Sequence, residues 1–287
     1  MKKNVVAKKV VQEKVVLTSP VERLDVVAFG LTVAAFVLVQ LSYLLNGVAF
    51  LDLGVLLLIP AFAVFAYGLF KEWLVESKDY CSGLMLLTSA VFFALLFKYR
   101  YAVGAIDDNY HTSKIVAVAV QNSYFSIMKY QEGGDARYYL INFVECIWGL
   151  LWRFLRWDYI VVLVQILPVF VLWKQLLAFF RNRGIKEVAG FLSVIIVLSM
   201  EIIWAQACST YVDSIAGMVA ALVLLKVADL LEFSDQRNLF NIMVAAFLST
   251  LCLITKSSMI FLAIFGLGVS LWYAVKTLTK KQALWTA

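Results

Sequence analysis

"RYYLINFVECIWGLLWRFLRW", residues 137–157, is an apolar stretch that sets the topology of the whole chain. It is almost long enough to cross a membrane, for which a helix needs about 20 apolar residues. Glu145 and Arg153 interrupt it, however, and its aromatic and basic residues recur at helical spacing (Trp148, Trp152 and Arg156). A helix of this composition is typical of the headgroup region of a bilayer. The stretch therefore predicts an interfacial helix and not a span.

The composition places the rest of the chain in a lipid bilayer. Of its 287 residues, 63% are hydrophobic, and the mean hydropathy is +0.88, so the chain has more apolar surface than a soluble domain of this size buries. The net charge of +6 comes from short basic groups between apolar runs, without the continuous basic stripe of a nucleic-acid-binding protein. We expect an integral protein of the cell membrane, in contact with lipid and not with nucleic acid.

About eight apolar runs have the length and composition of transmembrane helices. They lie at about residues 25–45, 48–70, 80–97, 159–180, 188–207, 211–231, 238–255 and 257–275. The predicted fold class is all-α, a polytopic membrane protein in which residues 25–287 form a single transmembrane unit.

The loops between these runs orient the chain, because Lys and Arg are concentrated on the cytoplasmic side of membrane proteins. The tail 1–24 is basic, and so are the loops KEWLVESKDY, RNRGIKE, SDQRN and KTLTKKQ; the alternate loops NGVA, CST and KSS are nearly uncharged apart from Lys256. We therefore expect the N-terminal tail in the cytoplasm. If residues 137–157 crossed the membrane, the basic loop RNRGIKE would face outside, against this rule. Residues from about 98 to 158 are therefore predicted to form one external loop with interfacial helices.

This external loop contains AIDDNYHTSK, residues 105–114, a cluster of ionisable side chains. Asp107, His111 and Lys114 are spaced i, i+4 and i+7, so a helix beginning near Asp107 sets all three on one face. Asp107 and Asp108 suit proton abstraction from a nucleophile or binding of a divalent metal ion. The alternative is that the two acids only cap a helix N-terminus, and a lone histidine is typically a hydrogen-bonded or interfacial residue.

Other charged residues fall on the same predicted face. Asp213 stands at the outer start of a span, where it can also cap the helix, and Lys256 stands in a tight turn, where it can bind a phosphate or extend to the surface. Glu201 lies inside a span near its outer third, which makes it a candidate for the same cavity. For Asp52, near the outer boundary of its span, interfacial solvation is the simpler account. The convergence of these loops predicts a site on the external face.

Three segments resemble those of the GT-C superfamily of membrane glycosyltransferases, which includes the family 39-like enzymes. The segments are DDNY followed by a helix to VQNSYFS, then AQACSTYVDSIAGMVAALVLL, then LITKSSMIFLAIFG. The resemblance covers roughly residues 99–275. Members of the superfamily usually continue through further spans and an external domain. By this resemblance the chain is therefore a truncated member, a compact member, or a module that needs a partner.

The resemblance implies inverting transfer of a sugar from a polyprenyl-phosphate donor, of the undecaprenyl or dolichyl type, to a glycan, lipid or protein acceptor outside the membrane. Asp107 is then the catalytic base or orients the acceptor hydroxyl, and Asp108 can take the same role. Lys256 is expected to bind the carrier phosphate, alone or with a divalent metal ion as cofactor. The remaining polar residues are expected to bind substrate: His111, Lys114, Asp213 and Glu201.

Two other function classes fit the same chain. A transporter or flippase of a lipid-linked anion would use Glu201, Asp213 and Lys256 as midplane or gate residues, although the sequence has no clear inverted repeat. A noncatalytic membrane subunit would need none of them. The substitution Asp107→Asn separates the readings, since an enzyme loses turnover and a subunit is indifferent.

Overall fold

The computed structural model describes residues 20–45, 48–71, 91, 94, 143–156, 165, 171–173, 175–176, 178–180, 182–200 and 212–285. This part of the chain is mostly helical and contains no strand, which confirms the predicted all-α class. The predicted external loop up to residue 142 lies outside the described residues, as does the predicted span 80–97 apart from residues 91 and 94.

Most of the helices that are described along their length overlap the predicted apolar runs. They are α1 (Pro20–Leu45), α2 (Val48–Lys71), α3 (Phe143–Leu155), α4 (Glu187–Leu198), α5 (Asp213–Glu232), α6 (Leu239–Thr255), a 3₁₀ helix (Ser257–Met259) and α7 (Ile260–Trp285). The bounds of α2, α5 and α6 nearly coincide with the predicted spans 48–70, 211–231 and 238–255. In contrast, α4 ends at Leu198, within the predicted span 188–207.

Two helical segments of the described chain are long and apolar enough to cross a membrane, Asp213–Glu232 and Ser257–Leu278. Shorter apolar segments accompany them: Val26–Leu38, Asp52–Gly68, Val171–Phe180 and Leu239–Thr255. The two long segments differ in burial, because 61% of the first is buried inside the protein and only 22% of the second. The central helix is therefore α5, whereas α7 exposes most of its apolar surface.

A close approach at Gly266 joins the three C-terminal helices. A Cβ atom placed on Gly266 of α7 would lie 2.1 Å from Ser249 Oγ of α6 and 3.0 Å from Val223 Cγ1 of α5. Ser249 and Val223 are fully buried, and the Ser249 hydroxyl donates to the Ala245 carbonyl at 2.7 Å. The missing side chain of Gly266 is thus what lets the helices pack together, as small residues do in membrane helix bundles.

Aromatic contacts fix the direction of α1 relative to α6. Phe29 packs edge to face on Phe240 and Phe247 with centroid distances of 5.5 and 5.6 Å, and Phe36 packs on Phe247 at 5.6 Å. Earlier residues of α1 contact the earlier part of α6, so the two helices run in the same direction. Both helices therefore begin at the same end of the bundle.

That end is built around Arg183 and Arg237, and we call it the arginine end. Arg183, in the turn before α4, donates to Asp229 Oδ1 of α5 at 2.9 Å, and its Nη2 lies 2.7 Å from Glu232 Oε2. Arg237 donates at 2.8 and 2.7 Å to the last carbonyls of α5, those of Leu230 and Leu231. The loops RNRGIKE and SDQRN thus share one end of the bundle with the beginning of α1.

The helix within residues 137–157 is short and packs against the protein. Over its 13 residues α3 is about 20 Å long, less than the roughly 30 Å of a hydrocarbon core. Trp148 was expected in the headgroup region, but its side chain is fully buried in a cluster with Val144 of α3 and with Val212 and Ile215 at the start of α5. The apolar face of α3 therefore covers the end of the bundle opposite the arginine end.

Candidate functional site

Asp213 and Lys256, two of the residues predicted for the site, form an ion pair. Asp213 is the first residue of α5, and Lys256 follows the last residue of α6. Because α5 and α6 are antiparallel neighbours, these positions meet at one end, and Lys256 Nζ donates to Asp213 Oδ1. We call this the Asp213 end. It is the end that the loop charges predicted to be external.

Local backbone structure presents Lys256 at this end. Its N–H donates to the Cys252 carbonyl at 3.3 Å, which closes the last turn of α6, and its carbonyl accepts from the Met259 N–H at 3.0 Å, which begins the 3₁₀ helix. The residue between the two helices is extended, with φ −153° and ψ 120°. The Lys256 side chain therefore projects from the single extended residue between α6 and the 3₁₀ helix.

The pair is half open to its surroundings, since the side chains of Lys256 and Asp213 are 37% and 38% exposed. Capping is not the role of Asp213, because the N-cap position of α5 is Val212, which makes no side-chain cap bond. An acid in the first turn still interacts favourably with the helix dipole. The Asp213 carboxylate therefore faces two positive partners, the start of α5 and the Lys256 ammonium.

Buried polar side chains occur at the start of α5 and on α3. Ser214 donates its hydroxyl to Gln165 Oε1 at 2.7 Å, and both side chains are almost completely buried. On α3, Glu145 is fully buried, and the indole Nε1 of Trp148 has no hydrogen-bond partner in the described part of the chain.

A second ion pair fastens α3 to α2 at the Asp213 end. Arg153 Nη1 and Nη2 donate to Asp52 Oδ1 and Oδ2 at 3.2 and 3.4 Å, and the side chains are 22% and 27% exposed. This bidentate geometry holds the guanidinium in one orientation. Asp52, assigned above to interfacial solvation, is instead the anchor of α3.

The other predicted site residues lie outside the described residues: Asp107, Asp108, His111, Lys114 and Glu201. Within the described ranges, no group of three or more His, Cys, Asp or Glu side chains is arranged to hold a metal ion. The predicted metal ligands, Asp107 and Asp108, belong to the part that is not described.

Sequence reasoning did not single out three buried polar residues: Glu145, Gln165 and Ser214. Gln165 offered a signal, since it is a polar residue in the apolar run 159–180, and intramembrane polar groups carry a cost. Glu145 was treated only as an interruption of residues 137–157, although an acid between apolar residues is also a candidate for burial. Ser214 offered no signal of burial, because serine is common near the N-terminal end of a helix.

Comparisons of the chain with protein-family models, with curated proteins and with solved structures found no match. The chemistry of the site must therefore be read from its own residues. A lysine ammonium has three donor hydrogens, and one of them is directed at Asp213. The arrangement can bind an anion beside a carboxylate, at the junction between a bundle and a covering amphipathic helix.

Proposed function

We propose that the chain is a multipass membrane protein of about eight spans, with the arginine end in the cytoplasm and the Asp213 end outside. The exposed apolar surface supports this location: Phe261, Ile264 and Leu271 on α7 are 84%, 59% and 66% exposed, an arrangement that water disfavours and lipid suits. The segregation of the loops supports the orientation, because Arg183, Lys186 and Arg237 stand at one end.

We further propose that the Asp213 end binds a polyprenyl-phosphate sugar and that the chain transfers the sugar to an acceptor hydroxyl outside the membrane. The observation that carries the proposal is the meeting of Asp213 and Lys256 from helix ends 43 residues apart in sequence. An ammonium at the lipid boundary sits at the depth of a lipid-linked phosphate. Two of the three segments that resemble GT-C enzymes contain these same two residues.

In this mechanism Lys256 binds the donor phosphate through the hydrogens that do not face Asp213, and Asp213 keeps the ammonium in place. The acceptor oxygen forms a bond to the anomeric carbon from the face opposite the phosphate. The bond from that carbon to the phosphate oxygen breaks, and its electron pair leaves with the polyprenyl phosphate. Lys256 stabilises the charge that develops on this oxygen.

Asp107 accepts the proton of the acceptor hydroxyl, and Asp108 is the adjacent acid that can replace it. A divalent metal ion, if these acids bind one, adds positive charge beside the leaving phosphate. The buried indole N–H of Trp148 and the carboxylate of Glu145 lie on α3, the helix that covers this end of the bundle.

The test is sugar transfer by the full chain from a panel of polyprenyl-phosphate sugars. We expect the double variant Asp107→Asn/Asp108→Asn to lose at least about 100-fold in turnover, the usual contribution of a general base, while it still binds donor. Asp235→Asn, which changes an exposed acid at the arginine end, is the matched control and retains turnover. Full turnover in the double variant would contradict this mechanism. A native chain that binds donor and transfers nothing would instead point to a flippase.

A further inference from the structure

The Asp213–Lys256 pair has hydrogen-bonding capacity that the protein does not use. Lys256 Nζ donates one hydrogen to Asp213 Oδ1, and within the described part of the chain neither side chain has another hydrogen bond or ion pair. Two hydrogens of the ammonium and the second carboxylate oxygen, Asp213 Oδ2, are therefore available to a ligand. With the two side chains 37% and 38% exposed, both groups are accessible to one.

The pair acts on a bound anion with two opposing charges. A phosphate that binds the free hydrogens of Lys256 lies beside the Asp213 carboxylate, because the two side chains are in direct contact. Negative charge on that phosphate is attracted by the ammonium and repelled by the carboxylate. Asp213 therefore reduces the gain in affinity that each additional negative charge on the ligand would have at a lone lysine.

The proposed transfer changes the charge of the lipid-linked phosphate. In the donor this phosphate is a diester, bonded to the polyprenyl chain and to the anomeric carbon, and has one negative charge. When the bond to the anomeric carbon breaks, its electron pair stays on the phosphate oxygen, and the proton of the acceptor hydroxyl goes to Asp107. The product is a phosphate monoester, which carries a charge of about −1.5 to −2 at neutral pH.

We propose that Asp213 makes the site discriminate between donor and product. Its carboxylate weakens the binding of polyprenyl phosphate relative to that of the polyprenyl-phosphate sugar, and so favours release of the carrier after transfer. The inference rests on the proposed function, in which Lys256 binds the phosphate of both. Holding the ammonium in place needs only a hydrogen-bond acceptor, which an asparagine would also supply, whereas this discrimination needs a negative charge. The start of α5 cannot supply it, because a helix N-terminus attracts the more highly charged product.

Binding of two sugar-free ligands to the full chain in lipid nanodiscs tests the proposal at neutral pH. Polyprenyl phosphate is a monoester, and its methyl ester is a diester with the same polyprenyl chain and one negative charge. Neither ligand carries a sugar, so recognition of sugar hydroxyls does not enter. The measured quantity is the affinity for the monoester divided by the affinity for the methyl ester. Both affinities are taken on one preparation, so a partly inactive sample does not change the ratio.

We expect Asp213→Asn to raise this ratio about fivefold, which is the effect of one unit charge about 4 Å from another in water. Asp213→Glu keeps the charge and should keep the native ratio. Asp235→Asn, which removes an exposed acid at the arginine end, is the matched control and leaves the ratio unchanged. An unchanged ratio in Asp213→Asn would overturn the proposal, because Asp213 would then act only by holding Lys256. So would a ratio that Asp213→Glu raises as much as Asp213→Asn, since charge would not be the cause.

The same measurements separate this inference from the proposed function. In the native chain both ligands should bind saturably, and Lys256→Ala should weaken both. Absence of saturable binding of either ligand by the folded native chain refutes the proposed donor site, and the inference with it. Binding of both ligands through Lys256, with a ratio that Asp213→Asn leaves unchanged, refutes the inference alone.

Discussion

Replacing Gly266 by alanine should destabilise the protein, whereas the same change at Gly268 should not. The added Cβ at Gly266 meets Ser249 Oγ at 2.1 Å, Val223 Cγ1 at 3.0 Å and Ser249 Cβ at 3.2 Å, but at Gly268 it meets nothing within 4 Å. Overpacking of a well-packed core costs about 1–3 kcal/mol. Alanine also raises helix propensity by up to about 1 kcal/mol, equally at both positions.

The difference between the two variants therefore isolates the cost of overpacking. We expect Gly268→Ala to be neutral or more stable by up to about 1 kcal/mol, and Gly266→Ala to lie about 1–3 kcal/mol below it. The assay is reversible unfolding of the full chain in detergent micelles, followed by circular dichroism, with the free energy of unfolding compared across variants.

A third variant tests the identity of the contact. Ser249→Ala in the Gly266→Ala background removes the oxygen at 2.1 Å but leaves the contacts at 3.0 and 3.2 Å, so it should restore part of the lost stability. Equal unfolding free energies for Gly266→Ala and Gly268→Ala would refute the reasoning, since they would mean that α5, α6 and α7 do not meet at Gly266.

Further predictions concern the two ends of the bundle. Asn238→Ala removes the side-chain cap of α6 and should cost about 1 kcal/mol in unfolding free energy, with Asn238→Asp largely retaining it. Arg183→Met leaves the 7% exposed Asp229 carboxylate without its main partner and should cost roughly 3 kcal/mol, most of which Arg183→Met/Asp229→Leu restores; no recovery would contradict the pairing. Cysteine labelling from outside intact cells should reach position Asn109 and not Asn182, and the reverse pattern would overturn the topology.

The positions of several helices could be predicted because the apolar runs have the length and composition of membrane-spanning helices. The bounds of α2, α5 and α6 follow directly from where polar residues interrupt these runs. The end of α7 could not be predicted in this way, because the helix continues through KTLTKK to Trp285, ten residues beyond the predicted span 257–275. Lysine and threonine end an apolar run but do not stop a helix, and lysine is a good helix former.

The site could be predicted only in part, because its contacts join residues far apart in sequence. Loop charges placed Asp213 and Lys256 on one face, but their direct pairing depends on the antiparallel packing of α5 and α6. The Arg153–Asp52 pair spans 101 residues and left no local pattern. The predicted position of Trp148 was wrong for the same reason. An aromatic side chain suits the headgroup region as well as a protein core, and only the packing of α3 against the start of α5 decides between them.

Binding of polyprenyl phosphate to the full chain in lipid nanodiscs tests the central claim most directly. We expect saturable binding that Lys256→Ala weakens about tenfold or more, the scale of a lost charge-assisted hydrogen bond, and more strongly at low salt than at high salt because of screening. Lys186→Ala, an exposed lysine at the arginine end, is the control and leaves affinity unchanged. Absence of saturable binding by the folded native chain, or equal affinity in Lys256→Ala at both salt concentrations, would contradict the account.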